Sequence, residues 1–108
     1  MNAAGEVDML RYARARGVKV MGETCPQYLY ITEDALDQPG FEGAKFVFTP
    51  PARQPHQLPA LWDALAGHVL QIVSSDHAPF NFVGGKDRGR GDFTKIPNGG
   101  PGIEERAM

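Results

Sequence analysis

The sequence predicts an α/β fold, because two helix patterns are each followed by a short apolar run typical of a strand. The first pair covers residues 3–16 and 18–21, and the second covers 57–66 and 69–74. Polar residues follow each predicted strand, where parallel α/β enzymes place their chemistry. Two strands cannot form a parallel sheet that is covered on both faces, so the pattern indicates part of a larger α/β protein. A compact small α+β domain is the alternative.

The first helix has apolar residues at spacings of three and four, namely Ala3, Val7, Leu10 and Ala13. Gly17 is a helix stop, and the apolar run 18–21 follows it as a strand. In the second pair, Pro59 fits the first turn of a helix, where a missing N–H costs nothing. The run 69–74 then has the length and apolar character of a buried strand.

The stretch between the two pairs is less regular. Residues 27–31 are apolar and aromatic and fit either a strand or a packed loop. Capping residues at 32–36 predict a helical turn, and 45–49 predicts a brief extended segment. After the second strand, residues 84–102 hold seven glycines and two prolines, which predicts a long loop. We therefore divide the chain into a helix–strand core, 1–83, and a glycine-rich loop, 84–108.

Composition excludes several function classes. The chain of 108 residues is 42% hydrophobic and 22% charged, an ordinary globular balance. Its net charge of -2 argues against nucleic acid or an anionic membrane as partner. No apolar run approaches the roughly 20 residues of a membrane span, and no secretory signal opens the chain. With its single cysteine, Cys25, the sequence predicts a cytoplasmic location.

Asp76 and His77 follow the second predicted strand directly. A carboxylate there could be a metal ligand or a general base, since carboxylate and imidazole groups are common ligands of catalytic metals. The alternative is an aspartate that caps the next turn, with His77 solvated in a loop. The other candidates favour structural roles: His56 and His68 bracket the second helix, and Cys25 has no histidine near it in sequence.

Two further positions offer fixed main-chain groups. Thr49 precedes two prolines, and Asn98 lies in the glycine-rich loop. Rigid main-chain donors and acceptors suit an amide or imide substrate, which needs both. The alternative is ordinary turn chemistry, because Asn-Gly is a common turn dipeptide. The run 84–86, Gly-Gly-Lys, lacks the spacing of a phosphate-binding loop and the Ser or Thr that follows it, so we exclude that role.

Five blocks in order resemble the dihydropyrimidinase/D-hydantoinase family. They are residues 22–29, 41–46, 50–53, 75–80 and 92–106, the last being the most specific. The resemblance implies a metal-dependent amidohydrolase with a TIM (β/α)8 barrel, of which this chain covers about the last two β/α units and the following loop. Such enzymes hydrolyse the cyclic amide bond of dihydropyrimidines or hydantoins to N-carbamoyl amino acids.

The resemblance also implies roles for single residues. Asp76 matches an aspartate that binds one metal and carries a proton from the attacking hydroxide to the leaving nitrogen. Thr49, where the family usually has serine, and Asn98 match main-chain contacts to the substrate. The implied cofactor is zinc, two ions per subunit of a homotetramer. The family's His-x-His, its carboxylated lysine and its two later histidines precede this segment, so we expect the chain alone to be inactive.

Three competing interpretations stay open at this point. A non-catalytic relative, like the collapsin-response mediator proteins, would share the fold but lose the metal ligands; retention of Asp76 and Asn98 argues against it. Dihydroorotase and allantoinase share a Ser-Asp-His element, but the block 92–106 favours dihydropyrimidinase or hydantoinase. A small independent binding module would require the isolated chain to fold cooperatively.

Overall fold

A computed structural model describes residues 1–107 of the chain and shows a mixed helix and strand architecture. Its α-helices are α1 (Ala4–Ala15), α2 (Pro26–Tyr30) and α3 (Leu58–Ala66), and its strands are β1 (Glu23–Thr24) and β2 (Ile72–Val73). Short 3-10 helices fill much of the rest, at Glu33–Asp37, Glu42–Phe46, Pro55–Gln57, Lys86–Gly89, Phe93–Lys95 and Glu105–Ala107. Within residues 1–107, no helix has the length and apolar character needed to cross a bilayer.

Both predicted long helices are confirmed. At the start of α1, the Glu6 carboxylate accepts hydrogen bonds from the Asn2 and Ala3 amides at 2.6 and 3.1 Å. These bonds satisfy the two backbone donors that directly precede the helix. A 3-10 turn leads into α3, where Pro59 lies in the first turn as predicted. Each helix therefore begins where its sequence signals place it.

The two strands are much shorter than predicted and form a parallel pair. Glu23 lies opposite Ile72 and Thr24 opposite Val73. The prediction of a strand over 18–21 is wrong, because that run is exposed and pairs with no strand in the described part of the chain. The run 69–74 is not a wholly buried strand either: Leu70 is buried before β2 begins, but Ile72 is 40% exposed. Apolar character alone cannot form a strand without a hydrogen-bonding neighbour.

The segment between β1 and α3 also differs from the sequence interpretation. Residues that fitted a strand or a packed loop form α2, which Pro26 begins at a position where no N–H is needed. The Trp62 indole N–H of α3 donates to the Leu29 carbonyl at 3.0 Å and anchors α2. The predicted turn over 32–36 is confirmed as a 3-10 helix, whereas the first half of 45–49 belongs to a 3-10 helix rather than an extended segment.

One apolar core joins the three α-helices to the strand region. Its buried members are Val7, Leu10, Cys25, Tyr28, Leu29, Phe48, Ala52, Leu61, Ala64 and Leu70. They all precede residue 71, so the glycine-rich loop contributes none of them. The core therefore sets the position of the strand ends, and the loop lies against them.

Candidate functional site

The carboxyl ends of β1 and β2 lie side by side because the strands are parallel. The Ser74 amide donates to the Thr24 carbonyl at 3.1 Å and extends the pairing past the strands. The chain segments that follow the two strands therefore start from the same edge of the sheet. That edge is where the sequence predicts the chemistry, at Asp76.

Asp76 is held at this edge by Gln27. The Gln27 Nε2 atom donates to Asp76 Oδ2 at 3.0 Å, across 49 residues of sequence. Gln27 is only 7% exposed, and its Oε1 atom has no partner among residues 1–107. Asp76 itself is exposed and has a φ of 47°, in the left-handed region that aspartate enters more readily than most residues. The buried amide of Gln27 thus orients the exposed carboxylate of Asp76.

Sequence reasoning missed Gln27. It lies inside the block 22–29 that carries the family resemblance, and this is the only signal that could have singled it out. Because 27–31 fitted a strand or a loop equally well, the direction of its side chain could not be predicted. The helix α2 turns Gln27 inward, to the side where Asp76 lies.

Two groups beside this carboxylate keep their protons. Burial, and then the charge of Asp76, raises the pKa of the Tyr28 phenol to about 12. Burial also raises the pKa of the Cys25 thiol, against a smaller opposing effect of its hydrogen bond to Ser74. The Ser74 hydroxyl donates to Glu23 Oε1 and lies 3.2 Å from Cys25 Sγ. The structure therefore agrees with an inert Cys25, because a raised pKa disfavours the thiolate.

The hydrogen bonding of His77 argues against a role as a metal ligand. Its Nδ1 atom accepts a hydrogen bond from the Gly102 amide at 3.1 Å, which leaves the ring proton on Nε2 if the ring is neutral. The neighbouring Ala78 amide donates to the Gly100 carbonyl at 2.9 Å. These two bonds tie the glycine-rich loop to the segment that follows β2. His77 therefore fastens the loop beside Asp76.

The described residues do not complete a metal site. Within 1–107, no three His, Cys, Asp or Glu side chains lie close enough together to hold a metal ion. Catalytic metal sites use about three protein ligands, and Asp76 supplies one carboxylate. His56 and His68 are exposed near the two ends of α3, and neither forms a metal-binding group with Asp76. Residues 1–107 therefore do not fit a metal by themselves.

Thr49 and Asn98, the two predicted substrate-binding residues, are in direct contact. The Asn98 Nδ2 atom donates to Thr49 Oγ1 at 2.8 Å, and Thr49 Oγ1 donates to Asn98 Oδ1 at 3.1 Å. The Gly99 amide also donates to the Val47 carbonyl at 3.1 Å. Both residues are exposed. The contact between their side chains joins the two segments that carry them.

Lys86 is the second feature that sequence reasoning missed. Its side chain is almost fully buried, and its Nζ atom donates to the carbonyls of Val47, Pro97 and Gly99 at 2.8, 2.5 and 2.7 Å. Burial lowers the pKa of this amine. The Gly-Gly-Lys run at 84–86 marks this lysine in the sequence. Its spacing excludes a phosphate-binding loop, but it does not indicate that the lysine is buried.

No protein-family model matches this chain. Among curated proteins, a D-hydantoinase from Rhizobium radiobacter is 58% identical over 101 residues, which cover 94% of this chain and 22% of that protein. A D-hydantoinase from Geobacillus stearothermophilus is 50% identical over 106 residues, 98% of this chain and 22% of that protein. The chain thus spans about a fifth of the length of the curated relatives that it matches.

Solved structures agree with these matches. A dihydropyrimidinase from Brevibacillus agri superposes with a TM-score of 0.94 at 53% identity, over 97% of this chain and 23% of that one. An L-hydantoinase from Arthrobacter aurescens superposes with a TM-score of 0.79 at 30% identity, over 96% of this chain and 22% of that one. The backbone described above is therefore similar to that of these structures over nearly the whole chain.

Proposed function

The chain belongs to the dihydropyrimidinase/D-hydantoinase family, and on that premise we propose that it is part of an enzyme that hydrolyses the cyclic amide bond of hydantoins or dihydropyrimidines. The observation that carries the proposal is the match of nearly the whole chain to a D-hydantoinase at 58% identity. The products are N-carbamoyl amino acids, and the substrate is a small cyclic amide or imide.

The fold that suits this function is a TIM (β/α)8 barrel, to which this chain would contribute about the last two β/α units and the loop after them. The parallel pairing of β1 with β2 supports it, since neighbouring barrel strands are parallel. The position of Asp76 also supports it, because barrel enzymes place catalytic residues at the carboxyl ends of their strands.

In this proposal Asp76 moves the proton of the reaction. Water adds its oxygen to the ring carbonyl carbon, the C–N bond breaks, and the proton taken by the Asp76 carboxylate goes to the leaving nitrogen. The hydrogen bond from Gln27 keeps Oδ2 in place and leaves the exposed carboxylate facing the strand-end edge. Fixed orientation of the base is what such a transfer requires.

Thr49 and Asn98 would bind the ring through their main chains. A cyclic imide or amide presents an N–H donor next to carbonyl acceptors, so it needs both kinds of partner. Because the two side chains bind each other, they hold the two backbone segments together without competing for the substrate. The threonine that replaces the family's usual serine does not affect a main-chain contact.

We further propose zinc as the cofactor of the complete protein, two ions per subunit, with Asp76 as one ligand and the remaining ligands from outside this chain. Such ions activate water for hydrolysis. We expect the 108-residue chain by itself neither to bind zinc tightly nor to catalyse; two tight zinc sites on it would contradict this. A homotetramer and a cytoplasmic location stay predictions for the complete protein.

The test is a chimera in which this chain replaces the matching 101 residues of the Rhizobium radiobacter D-hydantoinase. We expect the chimera to open hydantoin or dihydrouracil, measured as N-carbamoyl product by chromatography. Asp76→Asn should lower kcat by about 10²- to 10⁴-fold, the usual contribution of general acid–base catalysis. Asp8→Asn, on the exposed face of α1, is the matched control and should leave kcat unchanged. A folded but inactive chimera would refute the proposed function.

A further inference from the structure

Lys86 is an unusual lysine because its ammonium group is buried and all three of its N–H donors are hydrogen-bonded. An ammonium group has three N–H donors, and here each has one carbonyl acceptor. The Phe80 ring lies 5.6 Å from the same nitrogen. A buried charge is costly unless it is hydrogen-bonded, so this arrangement is a specific one. With its donors committed, Lys86 is not available to bind a phosphate or a carboxylate.

The three acceptors belong to the two segments that carry Thr49 and Asn98. Val47 lies two residues before Thr49, and Pro97 and Gly99 are the immediate neighbours of Asn98. One nitrogen atom therefore sets the separation of the two segments, which are about 50 residues apart in sequence.

The bonds also fix the peptide planes on both sides of Asn98. The peptide bond is planar, so a carbonyl that is held in place holds the N–H of the next residue as well. Lys86 holds the Pro97 carbonyl, and hence the plane of the Asn98 N–H. The bond from the Gly99 amide to the Val47 carbonyl, which Lys86 also holds, fixes the plane of the Asn98 carbonyl.

We propose that Lys86 is a positioning residue for substrate binding, which orients the main-chain groups of Asn98 that face the ring and sets their distance from Thr49. This inference rests on the proposed function of those two residues. Its physical basis is that a group displaced by about 1 Å can cost on the order of 10²-fold in catalytic efficiency. Lys86 does not touch the substrate in this account. It acts through the contacts by which Thr49 and Asn98 bind the ring, so its effect is on substrate binding rather than on the chemical step.

The experiment compares Lys86→Met with Lys45→Met in the chimera. Methionine keeps an unbranched chain of similar length but has no donors. Lys45 and Lys86 both line a cavity of about 240 Å³. The Lys45 ammonium, however, pairs with Glu42 at the surface and makes no bond to these carbonyls. We expect Lys86→Met to raise KM by roughly 10- to 100-fold with kcat nearly unchanged, the signature of lost uniform binding. Lys45→Met should change neither constant.

Hydrogen exchange of the Gly99 amide is measured on the same proteins. We expect faster exchange by roughly tenfold or more in Lys86→Met, because the bond to the Val47 carbonyl loses its support. If Lys86→Met does not fold, Lys86→Ala is assayed with and without ethylammonium, a primary ammonium ion small enough for the cavity. Recovery of KM with ethylammonium supports the proposal, and no recovery contradicts it.

The failure of this inference and that of the proposed function are distinguishable. An active chimera in which Lys86→Met and Lys45→Met have the same KM overturns the role of Lys86 alone. A fall in kcat with KM unchanged overturns it as well. A folded chimera without activity overturns the proposed function, and then equal Gly99 exchange rates in the two variants show that Lys86 does not hold the segments either.

Discussion

The helix–strand part of the chain and its glycine-rich loop are held together by different kinds of contact. Residues 1–83 contain the apolar core, with Val7, Leu61 and Ala64 fully buried. In residues 84–107 a lysine is buried instead, with three carbonyls around it. The apolar core does not by itself orient individual groups, because the hydrophobic effect is non-directional. The hydrogen-bonded loop is directional, and it places main-chain groups at defined angles.

Glycine permits close approach of neighbouring segments in the loop. A Cβ atom on Gly99 would lie 2.5 Å from the Ala78 carbonyl oxygen, and one on Gly89 would lie 2.1 Å from Ile96 Cγ1. Close backbone approach replaces side-chain packing there. Asp92 adds local support by accepting from the Thr94 amide and hydroxyl. The Thr94 hydroxyl first, and then the Lys95 ammonium, lower the pKa of its carboxyl group. The first part therefore supplies the buried core, and the second part supplies the hydrogen bonds on either side of Asn98.

The largest effect should come from breaking the apolar part. Leu61→Ala removes a side chain with no exposed surface from the centre of α3. We expect the chimera to lose about 2–5 kcal/mol of unfolding free energy, from lost burial and the cavity left behind. Urea unfolding followed by circular dichroism measures it. Val83→Ala, at a residue that is 81% exposed, should cost less than about 0.5 kcal/mol; equal losses in the two variants would contradict the comparison.

A smaller effect is expected from breaking the close approach in the loop. Gly99→Ala inserts a methyl group against the Ala78 backbone, at a φ of 152°, which should cost about 1–3 kcal/mol. It should also raise KM, because Asn98 adjoins it. Gly100→Ala is the matched control, since its Cβ would meet only Phe48 at 3.6 Å, an ordinary contact. Unfolding and steady-state kinetics of both variants check this, and identical behaviour would refute it.

The smallest effect concerns the reactivity of Cys25 at the strand ends. Burial raises the pKa of its thiol, so the folded protein holds less thiolate than the unfolded chain at pH 8 to 9. We expect iodoacetamide to label it roughly tenfold more slowly in the folded chimera than in urea. The gap should close only when the pH passes the raised pKa. Mass spectrometry of the Cys25 peptide measures both labelling rates. Equal rates in the folded protein and in urea would contradict the prediction, because they would show that the folded thiol is as reactive as an unfolded one.

Much of the helical framework could be predicted because its signals are local. The spacing of Val7 and Leu10, and the place of Pro59 in a first turn, are read within a few residues. The strands could not be bounded in this way. Residues 18–21 have the composition of a strand, but strand formation depends on a partner elsewhere in the chain, and the pairing starts only at Glu23.

The sequence by itself determined the family, through ordered blocks of residues, and it singled out Asp76, Thr49 and Asn98, whose roles stay predictions. The tertiary structure alone decided what holds them. Gln27 reaches Asp76 across 49 residues, and Lys86 reaches Val47 across 39. Such contacts leave no periodicity in the sequence, because they depend on where folding brings distant segments. A buried amide and a buried ammonium group were therefore visible only once the chain was folded.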